Sequence, residues 1–263
     1  MIDAHLHLHD VRENTVRLLE SADDCGVELF FANAALQDDW RDIRDLADLH
    51  YRIVPFYGIH PWYIQRSSAD WLRELETLLA HNPGGIGEIG LDRSSRGGDF
   101  GVQLQFFKTQ LRVAKRFKRP VVLHCTRAWG SLCDILESER LEVPVMAHSF
   151  SGSSEIMQRL IGIGVYFSYS PRTFCGEEDN VSHLISQTPH DRLLLESDHP
   201  FLPIGSGDYF ETLREVYTFS GNILGLTFEE TERLVRKNAK TFVDATAFRK
   251  NVIKSAFDDG VYD

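Results

Sequence analysis

The chain begins with MIDAHLHLHD (residues 1–10), in which imidazoles alternate with apolar side chains. Residues two apart on an extended strand point to the same face, so His5 and His7 share one face. A buried imidazole that lacks a partner or a metal ion is energetically costly. The stretch therefore predicts a strand whose inner face carries a ligand site rather than ordinary core packing.

Short apolar runs and amphipathic stretches alternate along the rest of the chain, without an internal repeat. The predicted strands are 2–7, 27–33, 53–58, 85–89, 120–124, 143–148, 164–169 and 192–197. The predicted helices are 12–24, 69–80, 100–117, 129–139, 153–161, 179–187, 208–219 and 227–244, the last opened by a capping box of Thr227 and Glu230. Eight strands alternating with helices predict an α/β protein, a (β/α)8 TIM barrel. We expect residues 1–263 to form a single domain, with C-terminal helices and a tail at about 208–263.

Composition narrows the function classes. A length of 263 residues suits one barrel, and we find no run of about 20 apolar residues that would span a membrane. The four cysteines form no CxxC pair, which favours reduced thiols in a cytoplasmic protein. The formal net charge of −11 argues against a general nucleic-acid coat. It leaves a phosphate substrate open, because bound metal ions supply positive charge locally.

Ionisable side chains end most of the predicted strands, and barrel active sites lie at that end. They are His5 and His7, His60 in GIHP, Glu88 in GEIGLD, His124 in VVLH, His148 in VPVMAH and Asp198 in LLLESD. Imidazoles and carboxylates bind divalent ions such as magnesium, manganese or zinc. These groups are too many for one tetrahedral ion and suit two ions about 3.5–4 Å apart that generate a metal-bound hydroxide. We expect Glu88 to bridge the ions and Asp198 to accept a proton from the attacking water.

Six motifs in order resemble those of the TatD-type metal-dependent hydrolases of the amidohydrolase superfamily. They are DAHLHLH, GIHP, GEIGLD, PVVLHC, MAHSFSG and LLLESDHPFLP, within a resemblance that covers about residues 2–243. The resemblance implies a barrel with two divalent ions that hydrolyses phosphodiesters; family members are described as Mg²⁺-dependent deoxyribonucleases, some acting from the 3′ end. It implies that His5, His7 and Asp198 hold the first ion, that Glu88 bridges, and that His124 and His148 hold the second. It also implies a substrate contact at His60 and structural packing at Asn238 and Phe242.

The sequence departs from the family pattern after strand five. The family often places an arginine two residues after the strand-five histidine, whereas Arg127, our candidate substrate contact, comes three residues after His124. Relatives that bridge their metal ions with a carbamylated lysine carry that lysine at strand four. Here strand four offers Glu88 and no lysine, which favours the TatD-like branch of the superfamily.

Three functions follow from these residues. The first is an exonuclease-like phosphodiesterase or deoxyribonuclease acting on DNA, at a 3′ end or on a single strand, or on a small phosphodiester. The alternative is a hydrolase of an amide, ester or lactone, since barrels of this kind share a metal site and vary their loops. The third is a non-catalytic metal-dependent binding protein. Metal identity, polarity of digestion and oligomeric state stay open, and no membrane partner is expected.

Overall fold

The computed structural model describes residues 1–8, 12–174, 178–200 and 208–244. Eight parallel-paired strands occur there, each overlapping a predicted strand. Their bounds are β1 (Ile2–Leu6), β2 (Leu29–Asn33), β3 (Ile53–Phe56), β4 (Ile86–Asp92), β5 (Val121–Thr126), β6 (Val145–Ala147), β7 (Tyr166–Tyr169) and β8 (Leu193–Leu195). Most of their side chains are buried, as in parallel strands that are covered on both faces.

Backbone hydrogen bonds close these strands into a barrel. β1–β2–β3 and β4–β5–β6–β7–β8 form two runs of neighbouring strands. One junction is formed by the Tyr57 amide, which donates to the Gly85 carbonyl at 3.0 Å. At the other junction, the Asp198 amide donates to the His5 carbonyl at 3.0 Å. The predicted α/β barrel, folded as one domain, is thereby confirmed.

Helices cover the outside of the barrel and extend past its last strand. They are α1 (Arg12–Ser21), α2 (Asp39–Leu49), α3 (Trp71–His81), α4 (Phe100–Phe117), α5 (Trp129–Glu139), α6 (Ser154–Gly162), α7 (Pro171–Phe174), α8 (Glu178–Gln187), α9 (Tyr209–Leu224) and α10 (Phe228–Asp244). None of them, within the described ranges, is long and apolar enough to cross a membrane. The predicted tail after residue 244 lies outside these ranges.

Two helices show where sequence patterns succeed and fail. The capping box of α10 forms as predicted, because Thr227 Oγ1 accepts from the Glu230 amide at 3.2 Å and Glu230 Oε2 accepts from the Thr227 amide at 2.8 Å. α2 has no counterpart among the predicted helices. Its charged sequence hides a short apolar stripe that includes Trp40 and Ile43, both buried.

The last helix closes one end of the barrel. The Phe242 side chain is fully buried, with ring centroids 6.0 Å from Phe31, 6.3 Å from Phe56 and 5.3 Å from Tyr166. One turn earlier, Asn238 Nδ2 donates to the carbonyl of His190 at 2.6 Å and to that of Leu193, the first residue of β8, at 2.9 Å. Both residues therefore pack against the barrel, in keeping with the packing role that the family resemblance implies.

Candidate metal centre

Glu88 lies at the centre of the predicted ligand group. It is buried on β4, and its Oε2 lies 3.5 Å from His5 Nε2 and 3.4 Å from His7 Nε2. Its Oε1 lies 3.0 Å from His124 Nδ1 and 2.9 Å from His148 Nε2. The two oxygens of one carboxylate thus face two different pairs of histidines.

Asp198 completes the group at the end of β8. One of its oxygens lies 3.8 Å from His5 Nε2, and the other lies 3.5 Å from Arg172 Nε. Its backbone has a φ of 53°, a left-handed conformation that aspartate adopts more readily than most residues. The chain therefore turns sharply where this carboxylate is needed.

The potential ligand atoms form three overlapping triads within the described residues. In each triad the atoms lie within 4.8 Å of one another. The triads are His5–His7–Asp198, His5–Glu88–His148 and His60–Glu88–His124. The six predicted ligands and His60 thus occupy one site at the same end of the barrel.

The His5 and His7 nitrogens fit a bound divalent ion. His7 Nδ1 lies 3.0 Å from the Asn33 carbonyl oxygen, which accepts only, so Nδ1 carries the hydrogen and Nε2 is bare. His5 Nε2 lies 3.2 Å from that bare nitrogen, and His5 Nδ1 is buried with no hydrogen-bond partner among the described residues. A cation held by both Nε2 atoms would take a lone pair from each ring, and imidazole nitrogens are common ligands of zinc and related ions.

Burial and charge act in opposition at Glu88. Burial raises the pKa of Glu88, but the charge of His148 and hydrogen bonds from His124 and His148 outweigh it and hold that pKa well below its usual range. Burial lowers the pKa of His148, but Glu88 and Glu196 reverse this and raise it well above the ordinary value. Glu88 is therefore an ionised carboxylate, which is the form that binds metal ions.

His60 differs from the other histidines of the site. Burial and the neighbouring His124 hold the pKa of His60 well below its usual value, so its ring is neutral. Its Nδ1 accepts from the Trp62 amide at 3.2 Å, which leaves the hydrogen on Nε2, 3.5 Å from Glu88 Oε1. His60 therefore offers the site a hydrogen-bond donor rather than a lone pair.

A glycine in the GEIGLD motif lets two ligand strands approach each other. Gly90 has a φ of 156° and pairs with His124 across β4 and β5. A Cβ atom at Gly90 would lie 1.9 Å from the His124 carbonyl oxygen. The absence of a side chain here therefore helps to bring Glu88 and His124 together.

A cavity of about 330 Å³ opens above these groups. Trp62 and Tyr63 line one wall of the cavity. Among the described residues, the arginines that line the cavity are Arg96 and Arg172. The Arg96 guanidinium lies over the Trp62 ring, 4.8 Å from its centroid. Arg127, the predicted substrate contact, is exposed and is not among the described residues that line the cavity. It follows β5 directly, where the backbone turns with a φ of 54°, and the cavity is lined instead by the two preceding residues.

Two buried carboxylates behind the ligands were missed in the sequence. Asp92 Oδ2 lies 3.0 Å from His124 Nε2, and Glu196 Oε1 lies 3.2 Å from His148 Nδ1. Strand alternation contained a signal for Asp92, which follows Glu88 by four residues on β4. Glu196 follows the last residue of β8 directly and lies two residues before Asp198, whose φ of 53° breaks the alternation.

Comparisons with known proteins identify the family of this chain. The family model described as TatD related DNase matches residues 2–244. The uncharacterized metal-dependent hydrolase YjjV of Escherichia coli strain K12 is 27% identical over 208 residues, which are 77% of this chain and 80% of that protein. The 3′-5′ ssDNA/RNA exonuclease TatD of Citrobacter koseri is 32% identical over 153 residues, 55% of this chain and 57% of that protein. The crystal structure of the Escherichia coli YjjV protein matches with a TM-score of 0.84 at 24% identity, covering 93% of this chain and 98% of that one. Because the family model spans nearly the whole sequence, this chain belongs to the TatD related DNase family of metal-dependent hydrolases.

Proposed function

We propose that the chain is a dinuclear metal-dependent phosphodiesterase that removes nucleotides from an end of single-stranded DNA. The observation that carries this proposal is the position of Glu88, whose two oxygens face separate pairs of histidines. A carboxylate so placed suits two ions about 3.5–4 Å apart. His5, His7 and Asp198 would hold the first ion, and His124 and His148 the second, with Glu88 shared between them.

The residues around the two ions would have different roles in hydrolysis. Bound divalent ions would lower the pKa of water and offset charge on the phosphoryl oxygens. Asp198, at the edge of the ligand group, would accept the proton of the attacking water. The His60 Nε2 hydrogen would bond to a phosphate oxygen. Arg172, 3.5 Å from Asp198, would hold the same phosphate from the cavity rim.

The cavity supports binding of a chain end. Its volume of about 330 Å³ lies at the lower limit for small-molecule sites, which suits one nucleotide unit better than a duplex. The rings of Trp62 and Tyr63 offer surfaces on which a base could stack. The net charge of −11 opposes extended contact with a phosphate backbone. The Citrobacter koseri relative, named for action on ssDNA and RNA from the 3′ end, supports the same substrate class.

Cleavage of end-labelled oligonucleotides tests the proposal. Single strands labelled at either the 3′ or the 5′ end are incubated with the protein and Mg²⁺, Mn²⁺ or Zn²⁺. We expect stepwise shortening from one end, abolished by chelation and by Glu88→Ala or Asp198→Asn. The surface variant Asp134→Asn serves as a matched control for the loss of one carboxylate and should cleave normally.

The same assay can refute the nuclease function. A protein that holds two ions per chain yet leaves every oligonucleotide intact is not the nuclease that we propose. Hydrolysis of an ester, lactone or amide by that protein, lost in the same two variants, would establish the alternative substrate class.

A further inference from the structure

Each histidine of the second ligand pair has a carboxylate on its outer nitrogen. On one side of the pair, Asp92 Oδ2 lies 3.0 Å from His124 Nε2, while His124 Nδ1 faces Glu88 Oε1 at 3.0 Å. Asp92 is 1% exposed. The Ser94 amide and the Trp62 indole N–H also donate to it, both at 2.6 Å. These bonds fix the carboxylate against the ring.

The same arrangement recurs at His148 with the two ring nitrogens exchanged. Glu196 Oε1 lies 3.2 Å from His148 Nδ1, while His148 Nε2 faces Glu88 Oε1 at 2.9 Å. Glu196 is fully buried, and the Ser168 hydroxyl donates to its other oxygen. Because Glu196 is not exposed to solvent, His148 and Ser168 hold its carboxylate in place.

Ionised carboxylates accept hydrogen bonds and do not donate them. With a metal ion bound beside Glu88, the inner nitrogen of each imidazole would offer the ion its lone pair, so the single hydrogen of that ring would lie on the outer nitrogen and be donated to the outer carboxylate. On the basis of the two-metal function, on which this step rests, we propose that Asp92 and Glu196 are positioning residues that hold His124 and His148 in opposite tautomers. By doing so they set the affinity of the second metal position.

Charge balance supports this role. Four carboxylates of the described chain lie within 4 Å of a ligand imidazole: Glu88, Asp92, Glu196 and Asp198. Their four negative charges equal the charge of two divalent ions. Two of these charges stand behind the second position, where partners of metal-bound histidines raise the basicity of the ligand and typically change metal affinity about 10- to 100-fold.

Asp92→Asn and Glu196→Gln test the proposal with nearly unchanged side-chain shape. An amide can donate to the outer ring nitrogen and so favours the wrong tautomer. Titration of the metal-free protein with Mn²⁺ or Zn²⁺, followed by calorimetry and metal analysis, should give two ions for the unmodified protein. Each variant should bind one of those ions about 10- to 100-fold more weakly and the other within about threefold. Glu232→Gln, which neutralises a carboxylate bonded to the Met1 amine, is the matched control and should bind both ions normally.

A spectroscopic measurement keeps the proposal testable even if a variant fails to fold. Long-range ¹⁵N–¹H correlation spectra of the unmodified Zn²⁺-loaded protein should show the hydrogen of His124 on Nε2 and that of His148 on Nδ1. The same hydrogen-bearing nitrogen in both rings overturns the proposal. So do variants that keep both affinities within threefold, or lose both equally, while the unmodified protein binds two ions and cleaves DNA. An unmodified protein that binds fewer than two ions overturns the two-metal function itself.

Discussion

Glu88→Gln is the most informative single substitution in this protein. It preserves the size of the side chain and removes one negative charge. That charge lies 2.9–3.5 Å from a nitrogen of each of five histidines. If Glu88 bridges two ions, the substitution must weaken the binding of both ions. Loss of a ligand that contacts one ion would weaken mainly the binding of that ion.

The burial of Glu88 determines how strongly the substitution should weaken metal binding. Loss of one partner from a buried charge pair costs about 3–5 kcal/mol. At about 1.4 kcal/mol for each tenfold change, metal binding should weaken about 150- to 4,000-fold. At a free metal concentration of about 1,000 times the native Kd, each ion stabilises the native protein by about 4 kcal/mol. At the same concentration the variant would gain only about 0.1–1.2 kcal/mol per ion.

Thermal unfolding with and without metal measures this difference. For a chain of this size, about 1 kcal/mol corresponds to about 2–4 °C in Tm. We therefore expect each ion to raise the Tm of the unmodified protein by about 8–16 °C and that of Glu88→Gln by less than about 5 °C. Unfolding in chelator provides the baseline for each protein. A metal-induced rise in the variant as large as the native one would refute the bridging role of Glu88.

Other substitutions separate the barrel core from the substrate contacts. In urea unfolding, Phe242→Ala should lower the free energy of unfolding by about 3–5 kcal/mol and Asn238→Ala by about 1–3 kcal/mol. Metal affinity should stay unchanged in both variants. A loss below about 1 kcal/mol in both would contradict the role of these residues in closing the end of the barrel. In steady-state cleavage, Arg172→Ala should raise KM about 10- to 150-fold, whereas exposed Arg127→Ala should stay within about twofold; equal effects would contradict the choice of clamp. Tyr63→Ala should raise KM for oligonucleotides about 5- to 150-fold, the value of one stacked base, and leave that for bis(p-nitrophenyl) phosphate nearly unchanged; similar changes for both substrates would exclude stacking on Tyr63.

The barrel was predictable because parallel strands buried on both faces appear as short apolar runs. All eight runs overlap observed strands, but their ends were less well defined. β4 continues to Asp92, beyond the predicted end at residue 89, because its pairing with β5 extends through the polar residues that serve the site. α2 was missed because four aspartates and two arginines obscure its apolar stripe.

The candidate site was only partly predictable. Strand alternation placed His5 and His7 on one face, and the strand-end rule brought Glu88 into the same group. The sequence could not show which ring nitrogen of each histidine faces the centre, because that depends on partners distant in the chain. Nor could it choose among arginines. Arg127 was the candidate because it follows a ligand strand, yet the cavity is lined by Arg96 and Arg172 from loop and short-helix positions without periodic patterns.

The Asp92 carboxylate connects the proposed base-stacking surface with the proposed second metal position. Asp92 Oδ2 accepts from the Trp62 indole at 2.6 Å and lies 3.0 Å from His124 Nε2. A base stacked on Trp62 would therefore lie on a ring whose edge is fixed to the same oxygen that contacts His124, a proposed metal ligand. Because barrel loops vary while strand ends hold the chemistry, substrate preference would be free to change at Tyr63 or Arg96. If the proposed two-metal function holds, a change at Trp62 itself would disturb the second metal position as well, so Trp62 would belong to the catalytic frame rather than to an exchangeable loop.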